Sequence, residues 1–430
     1  MMTKSEIIHR IEALFPNSLL RVYRRKKRDV LWTVQQWAYR RAERKLQNID
    51  RPLNVVFLTM FPSVWKYDSV YQLMQRDDRF NPIILVCPVL DSDRDFMLRN
   101  LHDTIREFED KGYKVVNAYD EKTEKCISIQ RLQPDIVMYS SLWTVHTDKK
   151  YNPYVLRRYL KCYVNYGFCN ISSEWGIASS FHGLMWKYFS ECELNHQLGV
   201  SLRPQEMRNM VVTGYPIYDE IKMTDESTAG WKNSSSKYKR VIWAPHHSIT
   251  EQLVQFSTFL ANAEAMWSLT EKYKDTIQFA FKPHPQLITA LYNHPDWGKE
   301  RADAYYARWE NGENTALVLG AYTALFKSSD AMIHDCGSFI VEYLYTQKPV
   351  MYLGVNREAQ SNEVGKRAFA AHYHGTSAED INKFLTDIVI GGKDTMQSVR
   401  NAFYQDILVP PNGKTVAENI INEITKTLNI

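Results

Sequence analysis

The sequence predicts an α/β protein made of two Rossmann-like domains facing a cleft, preceded by basic amphipathic amino-terminal helices. Three observations carry this prediction. Short continuous apolar runs alternate with helix-length amphipathic stretches, the pattern of parallel strands covered on both faces. The alternation stops over residues 222–239 and then restarts. The chain has 430 residues, more than one hydrophobic core usually organises, so two domains are the default.

Residues 1–52 form the expected arm. They carry 13 Lys or Arg against 5 Asp or Glu, a net +8, whereas the remainder nets −4. Arg21, Arg24, Arg25, Lys26, Lys27 and Arg28 make one basic cluster; Arg40, Arg41, Arg44 and Lys45 make another. Between them Val30, Leu31, Trp32, Val34, Trp37 and Ala38 recur at near-helical spacing. A basic helix bearing tryptophan suits an anionic membrane surface. The plainer alternative is a helix packed on the body with a solvated basic face. No nucleic-acid-binding fold follows the arm, so nucleic acid is not an expected partner.

The first domain is expected over 53–221, with strands at LNVVFLTM (53–60), NPIILVCPV (81–89), KVVNAY (114–119), DIVMYS (135–140), KCYVNYGF (161–168) and MVVTGYP (210–216). Residues 222–239 lose all periodicity and read as a linker. The second domain, 240–430, restarts with RVIWAPHH (240–247), a helix over 250–273, IQFAFKPHP (277–285), ALVLG (316–320), AMIHD (331–335) and PVMYL (349–353). Helices near 378–390 and 414–428 close it. Open α/β sheets bind ligands at the carboxyl ends of their strands. This is the domain plan of GT-B glycosyltransferases, although a plan alone does not give a function.

Six scattered cysteines form no CxxC pair, so neither zinc nor a disulfide framework is expected. With no apolar run of bilayer length and no apolar amino-terminal segment of signal type, the expected location is the cytoplasm, peripheral on the inner face of the cell membrane.

Three strands of the second domain end in chemically useful residues. These are His246, His247 and Ser248; Lys282 and His284; and His334-Asp335-Cys336-Gly337-Ser338. A strand feeding a helix through a small-residue turn directs backbone N–H groups beyond the strand end, a place for an anion. The ordinary reading of the same residues is a βαβ crossover with Ser338 as helix N-cap. Lys282 as a fixed cation, with His246 or His284 as donors, suits a diphosphate. A metal on the histidines competes with this, but no HExxH or interleaved carboxylate occurs, so no metal and no cofactor are expected.

These motifs resemble those of the CDP-glycerol glycerophosphotransferases. Gly214-Tyr215-Pro216 followed by Asp219 is similar to that family's GYPRND turn, with Ile217-Tyr218 in place of Arg-Asn. Val241–Ser248 resembles its YAPTWR strand end, with His-His for Thr-Trp, and Phe281–Pro285 resembles its HP element. Ala331–Leu353 resembles its LITDYSSVFFDY…KPIIFY segment, with Glu342 where the family has Asp. Pro411–Lys414 resembles its DGKASERI tail, with Asn419 near the place of the Arg. The resemblance covers roughly residues 160–425 and implies transfer of a polyol phosphate from a CDP-activated donor to a hydroxyl of a glycan or lipid-linked acceptor, with release of CMP. It implies a nucleotide and diphosphate site at His246, His247, Lys282, His284, Asp335, Gly337, Ser338 and Glu342. The family's amino-terminal WHGT histidine has no counterpart in Val164–Phe168; His182 and Glu174 are the candidate bases. The rival readings are a GT-B glycosyltransferase using a nucleotide sugar, a sugar-nucleotide epimerase of the same architecture, and a non-catalytic scaffold.

Overall fold

The computed structural model describes residues 17–47, 49–233, 235, 237–250, 256–355 and 360–430. The first half is a seven-stranded sheet. Its strands are β1 (Leu53–Thr59), β2 (Phe80–Val86), β3 (Val115–Asn117), β4 (Ile136–Tyr139), β5 (Leu160–Val164), β6 (Lys187–Ser190) and β7 (Met210–Val212). They lie in the order β3-β2-β1-β4-β5-β6-β7, all pairs parallel. The second half has β8 (Lys239–Ala244), β9 (Ile277–Phe281), β10 (Thr315–Leu317), β11 (Ala331–His334), β12 (Val350–Leu353) and β13 (Tyr373–Gly375). Their order is β10-β9-β8-β11-β12-β13, again all parallel. Val55, Val56 and Phe57 are fully buried in succession, as are Val241, Ile242 and Ala244, because helices cover both faces of each sheet.

Several expected elements change. The strand over 114–119 ends at Asn117, and Tyr119–Asp120 turns into a small antiparallel pair with Lys125–Cys126. β6 and β13 were not anticipated. The helix expected over 250–273 spans Phe259–Lys272, and residues 251–255 lie outside the described ones.

Of the arm, residues 1–16 lie outside the described ones; Asn17–Leu46 is a single helix. Its inner face docks on the first half. Tyr39 and Leu46 join the core, the Tyr39 hydroxyl donates to the Leu184 carbonyl, and Gln35 Nε2 donates to the Arg157 carbonyl at 3.0 Å. Lys161 Nζ donates to Gln35 Oε1 at 3.0 Å and to the Pro153 carbonyl at 2.7 Å, and burial pulls its pKa down to about 7. Tyr23, Val30, Val34 and Trp37 stay exposed. At about 100° per residue they share one stripe roughly opposite the docked face.

The closing helix Val416–Leu428 corrects the domain boundary. Expected within 240–430, it packs its apolar side (Val416, Ile420, Ile424, Leu428) into the first core. Asp219 secures its start: the two carboxylate oxygens accept from the Val416 and Ala417 N–H groups at 3.0 and 2.9 Å. Gly214, at φ +91°, lets Pro410 and Val416 approach where a Cβ would meet both at 3.0 Å.

Candidate active site

The halves meet through loops that follow the carboxyl ends of their strands. Asn170, after β5, donates from Nδ2 to the Gly337 carbonyl, after β11, at 2.7 Å. Ser172 Oγ donates to the Ser361 carbonyl at 2.8 Å, and Asn362 Nδ2 donates to the Cys169 carbonyl at 3.1 Å. In each sheet the strand order reverses beside the first strand of that half, between β1 and β4 and between β8 and β11. Doubly wound sheets bind ligands at such reversals.

At the second reversal the expected residues assemble. The imidazole of His247 lies 4.2 Å, centroid to centroid, from those of both His246 and His284, and His246 lies 5.0 Å from His284. Their ligand-capable nitrogens fall within 4.8 Å of one another, a spacing a metal ion would accept. The tautomers point elsewhere. His246 Nδ1 accepts from the Ser248 N–H, and His284 Nδ1 accepts from the Gln286 N–H, each at 3.2 Å. A neutral imidazole with an accepting Nδ1 carries its proton on Nε2 and is a donor there, whereas a metal needs that lone pair. His246 and His284 thus present N–H donors suited to an oxyanion, with the His247 ring between them. Burial, His247 and Lys282 hold the His284 pKa down at about 4, so it is neutral at pH 7.

Lys282 supplies the charge. It is 5% exposed, burial lowers its pKa, and it forms no ion pair or side-chain hydrogen bond among the described residues. Its ammonium lies 6.0 Å from the centroid of the Tyr322 ring. A buried ammonium without an anion is costly, so this position favours a negatively charged ligand.

Asp335 is not available to a ligand as expected. Fully buried, it accepts from the His246 N–H at 2.5 Å, the Thr258 N–H at 2.6 Å and the Thr258 hydroxyl at 2.9 Å, pinning the His246 loop to the start of the helix Phe259–Lys272. Burial raises its pKa to about 7. Glu342 is equally committed: its oxygens accept from the Tyr215 hydroxyl at 2.8 Å and the Tyr322 hydroxyl at 2.6 Å. Gly337 lies beside the cluster through Phe256, which would be 3.6 Å from a Cβ placed at Gly337 and whose ring lies 5.2 Å from that of His246. Ser338 makes no side-chain cap, and the following helix Phe339–Glu342 is one turn long.

Both expected bases fail on geometry. His182 is completely buried among Tyr163, Phe181 and Tyr188. Its Nδ1 accepts from the Ser179 N–H at 3.1 Å in a capping box, and burial drives its pKa to about 3. It cannot reach an acceptor hydroxyl. Glu174 lies at the surface in an ion pair with Arg203 at 2.5 Å, and among the described residues no contact joins it to the histidine cluster.

Lys66 was missed. It follows β1 in the first half, is 5% exposed, and donates from Nζ to the Tyr322 hydroxyl at 2.8 Å. Through Tyr322, Glu342 and Tyr215 it joins a hydrogen-bonded seam that ends on the Tyr166 carbonyl. The only sequence signal was a lone lysine just beyond a buried strand.

Residues 186–426 match the protein family described as CDP-Glycerol:Poly(glycerophosphate) glycerophosphotransferase. The chain belongs to this family. It is accordingly a transferase of the CDP-glycerol glycerophosphotransferase type. No curated protein matches the chain. Among solved structures, the wall teichoic acid polymerase TagF (H444N variant) superimposes with a TM-score of 0.59 at 14% identity, covering 96% of this chain and 98% of that one. Staphylococcus aureus MnaA with UDP gives 0.54 at 16% identity, covering 88% and 97%. Neisseria meningitidis UDP-GlcNAc 2-epimerase bound to UDP-GlcNAc gives 0.50 at 13% identity, covering 88% and 100%. At these identities the likeness establishes the two-domain fold that family members share with the epimerases.

Proposed function

We propose that the glycerophosphotransferase binds its CDP-activated donor at the second half, with the diphosphate lying between Lys282, the Nε2–H groups of His246 and His284, the His247 ring and the Gly337–Ser338 turn. The observation that carries this reading is the buried Lys282 ammonium, which has no ion pair among the described residues, beside the three imidazoles. The acceptor oxygen attacks the distal phosphorus. A new P–O bond forms, the bond to the bridging oxygen breaks, and CMP leaves with that electron pair; the acceptor proton ends on the CMP phosphate or in water. Loose phosphoryl transition states need placement and charge neutralisation more than a strong base, so the loss of His182 and Glu174 as bases is tolerable.

The acceptor is a glycan or lipid-linked hydroxyl, as in the synthesis of a cell-surface polymer. The exposed apolar stripe of the amino-terminal helix, flanked by Lys26, Arg40, Arg41, Arg44 and Lys45, favours an anionic membrane surface. No helix among the described residues is long and apolar enough to cross a membrane. The test is CMP release from CDP-glycerol and CDP-ribitol, against UDP release from UDP-sugars, each with and without acceptor. Release of UDP alone would replace this reading with that of a sugar transferase.

A further inference from the structure

Segments 60–67, 87–93, 140–148, 165–179, 191–192 and 213–216 follow the carboxyl ends of β1, β2, β4, β5, β6 and β7. Together they contain one Lys or Arg, and it is Lys66. Its ammonium is 5% exposed and carries three donors, of which the Tyr322 hydroxyl takes one. No other described residue accepts from it. Glu220 feels its charge, but the two form no ion pair. The plainer role for Lys66 is to offset the buried Glu342 through Tyr322. Glu342, however, already accepts from two tyrosine hydroxyls, and the remaining donors of Lys66 stay unanswered either way.

We propose that Lys66 is the specificity residue for the acceptor and binds the last phosphodiester of an anionic acceptor chain. This rests on the donor assignment above, which leaves the first half for the acceptor. The description of the matched family names a poly(glycerophosphate), in which every unit carries a negative charge. Such a chain calls for a fixed cation where it meets the protein, and Lys66 is the one these segments supply. The attacking hydroxyl and the phosphodiester behind it are the two ends of one glycerol. Lys282 and Lys66 match that arrangement, because each ammonium lies within 6.0 Å of the centroid of the same Tyr322 ring. Lys282 serves the phosphorus under attack, and Lys66 the phosphate one glycerol behind the attacking oxygen. A neutral acceptor would leave the Lys66 charge buried and unanswered, so it is selected against.

The full chain is assayed for transfer from CDP-glycerol to glycerophosphoglycerol, two glycerols joined by a phosphodiester, and to neutral diglycerol. The wild type should show at least tenfold lower KM for glycerophosphoglycerol. Lys66→Met should raise that KM at least tenfold while the KM for CDP-glycerol stays within twofold, and Lys66→Arg should retain most of the preference. Lys66→Gln keeps a donor for Tyr322 without the charge, and carries the same expectation if Lys66→Met fails to fold. Equal acceptor KM values in the wild type, an undiminished preference in a folded Lys66→Met or Lys66→Gln, or an equal rise in the KM for CDP-glycerol overturns the assignment. If no CMP is released with any acceptor, the donor reading fails, and titration calorimetry with glycerophosphoglycerol decides on Lys66 alone. Binding that is lost in Lys66→Met and kept in Lys282→Met supports the site; binding that survives Lys66→Met, or none in the wild type, overturns it.

Discussion

Lys66 of the first half and Lys282 of the second stand over one ring, that of Tyr322, with ammonium nitrogens 5.1 and 6.0 Å from its centroid. Neither forms an ion pair among the described residues. Two like charges therefore flank the seam between the halves, at most about 11 Å apart by these two distances. An anion bound between the halves relieves their repulsion and draws the halves together.

Binding of a diphosphate to this place stabilises the folded chain by mass action. CDP or inorganic pyrophosphate at a hundred times its Kd should add about 2.7 kcal/mol, seen as a raised melting temperature. Lys282→Met should abolish that shift and lower kcat/KM for the donor by about 10²–10³. The same substitution should make the ligand-free protein more stable, since it removes a desolvated charge. An undiminished pyrophosphate shift in Lys282→Met would place the anion elsewhere.

Tyr322→Phe tests the seam. It removes a donor from the buried Glu342 carboxylate and an acceptor from Lys66 in one step. The expected loss is about 1–3 kcal/mol in urea unfolding. A change under about 0.5 kcal/mol would mean that the seam contributes little to holding the halves in register.

His182 gives a pH signature. Its native pKa of about 3 lies below the ordinary value of 6.5, so the unfolded chain binds a proton that the native one refuses. Its contribution to stability is therefore complete above pH 6.5 and declines as pH falls toward 3. Relative to His182→Phe, the wild type should lose about 2 kcal/mol between pH 6.5 and 5. Parallel stability curves for the two proteins would contradict a neutral buried imidazole.

The amino-terminal helix is anchored by Tyr39 and Leu46, so deleting it would damage the core as well as any membrane contact. Val30→Glu with Trp37→Glu changes only the outer stripe. Partitioning to anionic vesicles should fall at least tenfold with an unchanged melting temperature. Retained binding would assign the basic face to another partner.

Much of this was legible in the sequence. The strand ends at 244–248, 282–284 and 334–338 announced themselves because apolar runs stop abruptly at polar residues, and parallel topology then brings them side by side. Asp335 and Glu342 were recognised as unusual but given the wrong partners. A buried carboxylate is satisfied by whatever donors the fold delivers, and Tyr215 and Thr258 lie far from them in sequence. His182 stood as a candidate base because the family's amino-terminal histidine has no counterpart, yet its ring caps the helix that begins at Ser180. Lys66 left no pattern, since its partner Tyr322 is 256 residues away. The closing helix showed its amphipathic character but not which core it would join.

The return of Val416–Leu428 to the first half means that the polypeptide passes between the lobes twice, near 213–239 and again near 409–416. Two attachment points define an axis. Sliding and twisting are suppressed, and what survives is a swing about the line joining them, as a book opens on its spine. A protease cut after the exposed Lys232 or Lys237 should leave the lobes joined by the second crossing, still opening and closing as one body.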